Sequence, residues 1–87
     1  MAFINFSELY NAGGSFARQE VIEDGGTTTI YGGYAPSAEP TDDTDNRQGW
    51  KIRKLEVVDG GSRQDITCTW ARGTWADRLN LEYKYYI

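Results

Sequence analysis

The chain has 87 residues, a formal net charge of −4, three tryptophans, six tyrosines, one cysteine and no histidine. This length fits one domain, and Cys68, as the single cysteine, excludes a disulfide within the chain. The lack of histidine excludes Ser-His-Asp and Cys-His catalytic pairs and argues against a zinc site. The negative charge argues against binding nucleic acid by neutralising phosphates. We therefore expect neither an enzyme nor a cofactor.

The beginning of the chain, MAFINFSELY, has no basic region followed by a long apolar run. We therefore expect no signal peptide. No segment approaches the ~20 apolar residues that a membrane-spanning helix needs, so we expect no membrane partner. A lone cysteine fits synthesis in a reducing cytoplasm.

Residues 1–15 are predicted to form an N-terminal arm, which ends at a pair of glycines. The apolar spacing fits one short helical turn, too short to be stable alone. We expect the arm to pack either on its own domain or on a neighbouring subunit. In the second case its apolar residues are the candidate partner contacts: Phe3, Ile4, Phe6, Leu9 and Tyr10.

Residues 16–87 are predicted to form a single β domain that begins with a hairpin. Phe16 to Glu23 alternates as a strand, Asp24-Gly25-Gly26 is a turn signal, and the β-branched run from Thr27 to Tyr31 follows. The pair Gly32-Gly33 predicts a bulge or bend in the second strand.

The segment from residue 37 to residue 48 is predicted to be a polar surface loop that contains Asp42, Asp43 and Asp45. From Asp43 onward the loop begins like a calcium-binding EF-hand. Arg47 stands where the third ligand belongs, however, and Gln48 where the turn glycine belongs. A solvated acidic loop therefore explains these residues better than a metal site.

A second hairpin is predicted from Trp50 to Val58 and from Ile66 to Trp70. The apolar phase of its first strand changes near Lys54, which predicts a bulge there. Cys68 alternates with polar residues in the second strand and is expected to be an inert core thiol.

The last segment alternates from Leu79 to Ile87 and predicts a fifth strand, preceded by a loop or short turn. These patterns together predict an all-β fold, a small antiparallel sandwich or barrel of about five strands with the N-terminal arm.

Aromatic and basic side chains supply the remaining candidates. Trp50 and Trp70 occupy predicted core positions. Trp75 follows no clear pattern, so it fits either the core or an exposed surface that stacks on a sugar or a partner. The planar fork of Arg78 suits a carboxylate or a ring face, either within the domain or between chains. Trp75 and Arg78 therefore join the candidate partner contacts. A solvated face or ion pairs between subunits would explain the basic cluster of Lys51, Arg53 and Lys54.

Four short segments follow one another in a specific order. They are Tyr31–Pro36 (YGGYAP), Trp50–Leu55 (WKIRKL), Thr69–Ala71 (TWA) and Trp75–Tyr83 (WADRLNLEY). This order resembles a group of short structural proteins of tailed bacteriophages. In that group a Trp-x-Ile-x-Lys strand is followed by a Thr-Trp-Ala-x-Gly turn and then by a final segment similar to Trp-Asp-Asp-Arg. The chain departs from the pattern at Ala76, where an acidic residue is common.

The resemblance implies a virion component that is made in the host cytoplasm and binds other capsid or tail subunits, in many copies within a symmetric assembly. A capsid decoration or cement protein is the foremost expectation. A tail, baseplate or fibre-adaptor component is the alternative within this class. A glycan-binding module that uses Trp75 and nearby tyrosines is a hypothesis from a different class.

Overall fold

The computed structural model describes residues 16–86 and shows one antiparallel sheet of four strands, in the order β1-β2-β3-β4. The strands are β1 (Arg18–Asp24), β2 (Thr27–Tyr34), β3 (Trp50–Asp59) and β4 (Gln64–Gly73). The predicted all-β class is confirmed. The predicted sandwich or barrel of five strands is wrong, because the described strands form a single open sheet. Within residues 16–86 no helix is long and apolar enough to span a membrane.

Both predicted hairpins are present, but neither contains the predicted bulge. The first turns at Gly25 and Gly26, where Gly25 adopts a φ of 62° that favours glycine. Pairing between β2 and β3 continues without interruption from Thr27–Val58 to Tyr34–Lys51. The glycines of β2 therefore mark close packing against aromatic rings and not a break in the ladder.

The phase change in β3 has a different cause from the one predicted. Trp50 and Ile52 are buried on one face of the sheet, whereas Leu55 and Val57 are buried on the opposite face. We call the first the tryptophan face, which also carries Tyr31 and Ala71, and the second the aliphatic face, which also carries Ile30. Because β3 buries a different face at each end, its apolar pattern shifts although its register does not.

The predicted fifth strand is wrong. Residues 74–83 instead cross the tryptophan face through successive tight turns. The Thr74 hydroxyl accepts a hydrogen bond from the Asp77 amide (3.2 Å) and donates one to the Asp77 carboxylate (3.1 Å), which fixes the first turn. Among the described residues after Gly73, only Lys84 pairs with the sheet, through backbone hydrogen bonds of 2.6 and 2.8 Å with Trp70. We call residues 74–83 the C-terminal cover.

The core of the tryptophan face consists of two stacked indoles. The rings of Trp50 and Trp75 lie 5.3 Å apart, and both side chains are 0% exposed. Burying one such ring removes ~150–250 Å² from water, or about 4–6 kcal/mol at ~25 cal/mol per Å² as an upper estimate. The Trp75 Nε1–H is buried without a hydrogen-bond partner among the described residues, at a cost of about 1–3 kcal/mol. Apolar burial therefore exceeds this cost.

We predict that Gly33→Ala destabilises the domain by about 1–3 kcal/mol, the usual range for overpacking. A Cβ at this position would lie 2.8 Å from ring carbons of both Trp50 and Trp75, and neither buried ring has room to move. Urea denaturation followed by tryptophan fluorescence measures the change. The control is Gly26→Ala, where the nearest atom would be 3.7 Å away. Equal stability of the two variants would contradict the packing described for Gly33.

Candidate interaction surface

The predicted partner contacts divide into two groups. Trp75 is fully buried and Arg78 is 9% exposed. Both therefore serve contacts inside the domain, and neither is presented to another chain in this conformation. The other five predicted contacts lie outside the described residues: Phe3, Ile4, Phe6, Leu9 and Tyr10.

Arg78 fixes the C-terminal cover to the first strand. Its Nε and Nη2 donate to the two carboxylate oxygens of Glu20 at 2.8 and 2.9 Å, in bidentate geometry. Its Nη1 donates to the carbonyl of Trp75 at 3.0 Å, and the guanidinium lies 4.7 Å from that ring. The hydrogen bond from Arg78 lowers the pKa of Glu20 from its ordinary value. One side chain thus joins β1, the cover and the core indole.

Tyr83 completes the attachment of the cover. Its hydroxyl donates to the Arg78 carbonyl at 2.7 Å, and its ring lies 5.9 Å from that of Tyr31. Burial raises the pKa of the Tyr83 phenol, so this hydroxyl remains a donor at neutral pH. The Tyr83 hydroxyl therefore closes a hydrogen bond within the cover, and its ring packs the cover against Tyr31.

Asp45 organises the acidic loop through hydrogen bonds to Arg47, Trp50 and Ala76. Its carboxylate accepts hydrogen bonds from the Arg47 guanidinium at 2.8 to 3.2 Å and from Trp50 Nε1 at 3.1 Å. Its carbonyl accepts one from the Ala76 amide at 2.9 Å. The hydrogen bonds from Arg47 are the main reason why the pKa of Asp45 lies far below its usual range. Because its oxygens already bind Arg47 and Trp50, Asp45 does not offer the ligand that the calcium interpretation required.

The predicted basic cluster lies against aromatic rings of its own chain. Lys51 lies 5.0 Å from the centre of the Trp70 ring, and Lys54 lies 5.4 Å from that of Tyr83. The Arg53 guanidinium lies 4.7 Å from Phe16, at a distance where cation–π attraction contributes about 0.5–2 kcal/mol. These cations therefore extend the packing of both faces.

The sheet has two edges within the described part of the chain, at β1 and β4. The pairing of Trp70 with Lys84 shows that the backbone groups of Trp70 point away from β3. Because these directions alternate along a strand, the N–H and C=O groups of Ile66 and Cys68 point outward too. In the same way, the Asp59 amide bonds Gly26, which places the groups of Val21 on the outer side of β1.

The middle of each edge exposes an apolar side chain. Val21 in β1 is 36% exposed and Ile66 in β4 is 52% exposed. The expectation that Cys68 is a core thiol is wrong, because the residue is exposed on the edge strand. The alternation in β4 places Ile66 and Cys68 on the same face of the sheet. Whether that face is exposed depends on the order of the strands, which the alternation within one strand does not reveal. Other large exposed apolar residues are Ile22, Val58, Leu79, Tyr85 and Tyr86.

Comparison of the chain with protein-family models, with curated proteins and with solved structures returns no match.

We predict that Asp45→Asn weakens the response of stability to acid. A carboxyl whose folded pKa is depressed contributes stability above its unfolded pKa of ~3.9, and this contribution is lost as the pH falls towards the folded value. The free energy of unfolding of the native chain should therefore fall between about pH 5 and pH 2, and less steeply in the variant. Urea denaturation over this range measures both curves. The control is Glu39→Gln, which alters only the exposed contact to Arg47; a parallel acid response in native chain and Asp45→Asn would contradict the role of Asp45.

We predict that Arg78→Lys lowers the free energy of unfolding by about 1.5–3 kcal/mol, the range for hydrogen bonds to charged groups. Lysine retains the charge but loses the planar fork that binds Glu20 through two atoms. The matched control is Arg63→Lys, at an exposed ion pair with Asp65, where a change within about 0.5 kcal/mol is expected. Denaturant unfolding at neutral pH compares the two. A similar loss in both variants would show that the bidentate geometry is not important.

Proposed function

We propose that this chain is a structural subunit of a tailed-bacteriophage virion and that it binds other virion subunits, foremost as a capsid decoration or cement protein. The observation that carries the proposal is the open sheet, with two edges that each expose an apolar residue at the middle, Val21 and Ile66. Such edges are templates for pairing with another chain. A tail, baseplate or fibre-adaptor subunit would use the same surfaces.

The four segments that resemble phage proteins pack together in one place in the fold. Tyr31, Trp50, Ile52 and Trp75 form one buried cluster, and Tyr83 packs against it. These residues come from three of the four segments, while Ala71 of the remaining segment is buried on the same face. The four segments therefore contribute to one packed core on the tryptophan face.

Binding to many neighbours would come from several weak contacts in each copy. The edges of the described sheet supply backbone hydrogen bonds, and the predicted arm, residues 1–15, supplies apolar side chains. In a symmetric particle such contacts add through multivalency. Trp75 and Arg78, which the sequence placed among the contacts, would act indirectly by holding the cover on the tryptophan face.

The glycan-binding alternative has less support. It depended on Trp75, whose ring is inaccessible in the core. Tyr85 and Tyr86 are about three-quarters exposed, but a sugar platform on them would have to form without the indole.

The proposal predicts that the chain is present at a fixed copy number in purified virions, as measured by quantitative mass spectrometry. The double variant Phe3→Ser, Phe6→Ser should be incorporated several-fold less, because it removes two of the three aromatic candidate contacts of the arm. The control is Ser62→Ala in the exposed turn between β3 and β4, which should be incorporated normally. Absence of the native chain from virions would contradict the proposal, and normal incorporation of the double variant would contradict the role of the arm.

A further inference from the structure

We propose that copies of this chain join head to tail, with β4 of one copy pairing antiparallel with β1 of the next. The inference rests on the proposed function in that it names one partner of a many-copy subunit, a second copy of the same chain. The joined copies would form one continuous sheet. The test uses purified protein without virions, so failure of this inference is distinguishable from failure of the virion role.

Because the described sheet has four strands, two copies in the same orientation can pair β4 with β1 in antiparallel fashion. Four strands that alternate in direction leave β1 and β4 antiparallel to each other. When a second copy is placed beside the first in the same orientation, its β1 therefore runs antiparallel to β4. The two faces of the sheet then continue from copy to copy.

The free backbone groups of the two edges are in matching register. On β4 they belong to Gln64, Ile66 and Cys68, and on β1 the corresponding outward-facing residues are Gln19, Val21 and Glu23. Pairing of Ile66 with Val21 of the next copy places the other two residues of each set opposite each other. All six side chains lie on the aliphatic face, so backbone direction and side-chain face agree in this register, whereas a slip of one residue would break both matches.

The side chains that this register brings together are compatible. The two exposed apolar residues, Ile66 and Val21, become direct cross-strand neighbours, which contributes roughly 0.2–1 kcal/mol. One position further out, Arg63 stands opposite Asp24 of the next copy, and both side chains are exposed. Opposite charges at this position favour β4–β1 pairing.

The chain itself limits the length of the contact. Lys84 occupies the outward groups of Trp70, so an incoming strand can pair with β4 only up to Cys68. Strand β1 begins at Arg18, one residue before Gln19, which pairs with Cys68 in this register. The contact therefore spans five residues on each edge, and because it joins two different surfaces it generates a ring or an open filament.

A disulfide between copies tests this register. In the variant Gln19→Cys, the new thiol lies opposite Cys68 of the neighbouring copy, at the ~5.5 Å Cα separation that suits a disulfide. Within one copy the two positions lie on opposite edges, separated by at least ~14 Å across three strand spacings, so they cannot join. Mild oxidation with diamide should therefore produce a ladder of covalent dimers and higher multiples on a non-reducing gel.

The matched control is Glu23→Cys, on the same edge but about 13 Å further along the strand from Cys68. It should give no ladder, and neither should the native chain. Absence of a ladder in Gln19→Cys, or an equal ladder in Glu23→Cys, would overturn the proposal. Efficient dimer formation by the native chain would also overturn it, because it would show that two β4 edges pair with each other through Cys68.

A second substitution distinguishes disulfides that form through strand pairing from disulfides that form through random collision of two copies. Ile66→Pro, introduced into the Gln19→Cys chain, removes an outward N–H that makes no bond within the sheet, and it should abolish the ladder. Ile66→Thr keeps the N–H and should retain it. If circular dichroism shows that the proline variant is unfolded, Val21→Pro applies the same test to the other edge. A ladder that persists in a folded proline variant would contradict the inference.

Discussion

The stacking of Trp75 on Trp50 is the interaction on which the rest of the structure depends. Gly33 lacks a side chain, so both indoles approach the backbone of β2 more closely than a Cβ would allow. The buried area of the two rings is large for a chain of 87 residues, since small domains have little other apolar surface to bury. This contact holds the C-terminal cover on the tryptophan face and prevents the same residues from extending the sheet.

Two arginines lie beside this core and fix the positions of the segments that pack around it. Arg47 holds Asp45, which binds the Trp50 indole and the backbone of Ala76. Arg78 joins Glu20 to the carbonyl of Trp75. The loop between β2 and β3, the cover and the edge strand β1 are therefore connected through charged hydrogen bonds, which are shorter and stronger than neutral ones. Apolar burial supplies most of the stabilisation, and the carboxylates determine how the segments are arranged.

The sequence predicted local features well and the arrangement of the strands less well. Both hairpins were recognisable because Asp24-Gly25-Gly26 and the turn after Asp59 interrupt alternating segments. The bulge predicted near Lys54 was wrong because the phase change in β3 reflects burial of a different face of the sheet at each end of the strand. The fifth strand was wrong because alternation from Leu79 onward cannot reveal that Thr74 and Asp77 form a capped turn.

The candidate surface was the least predictable feature from sequence alone. Trp75 and Arg78 were chosen for their chemistry, which serves the interior equally well. The assignment of Cys68 to the core was wrong because the exposure of a strand face depends on which strands lie beside it. Strand order is a property of the whole sheet, so no periodicity within β4 could indicate that it forms an edge.

Within residues 16–86, the cover packs on the tryptophan face and leaves the outer side of β4 paired only at Trp70. Amide hydrogen exchange of the dilute protein, followed by NMR, tests it directly. We expect slow exchange for the amides of Trp70 and Lys84, and fast exchange for those of Ile66, Cys68 and Tyr86. Slow exchange at alternate residues from Leu79 to Tyr86, together with protection of Ile66 and Cys68, would show a fifth strand along β4 and contradict the account.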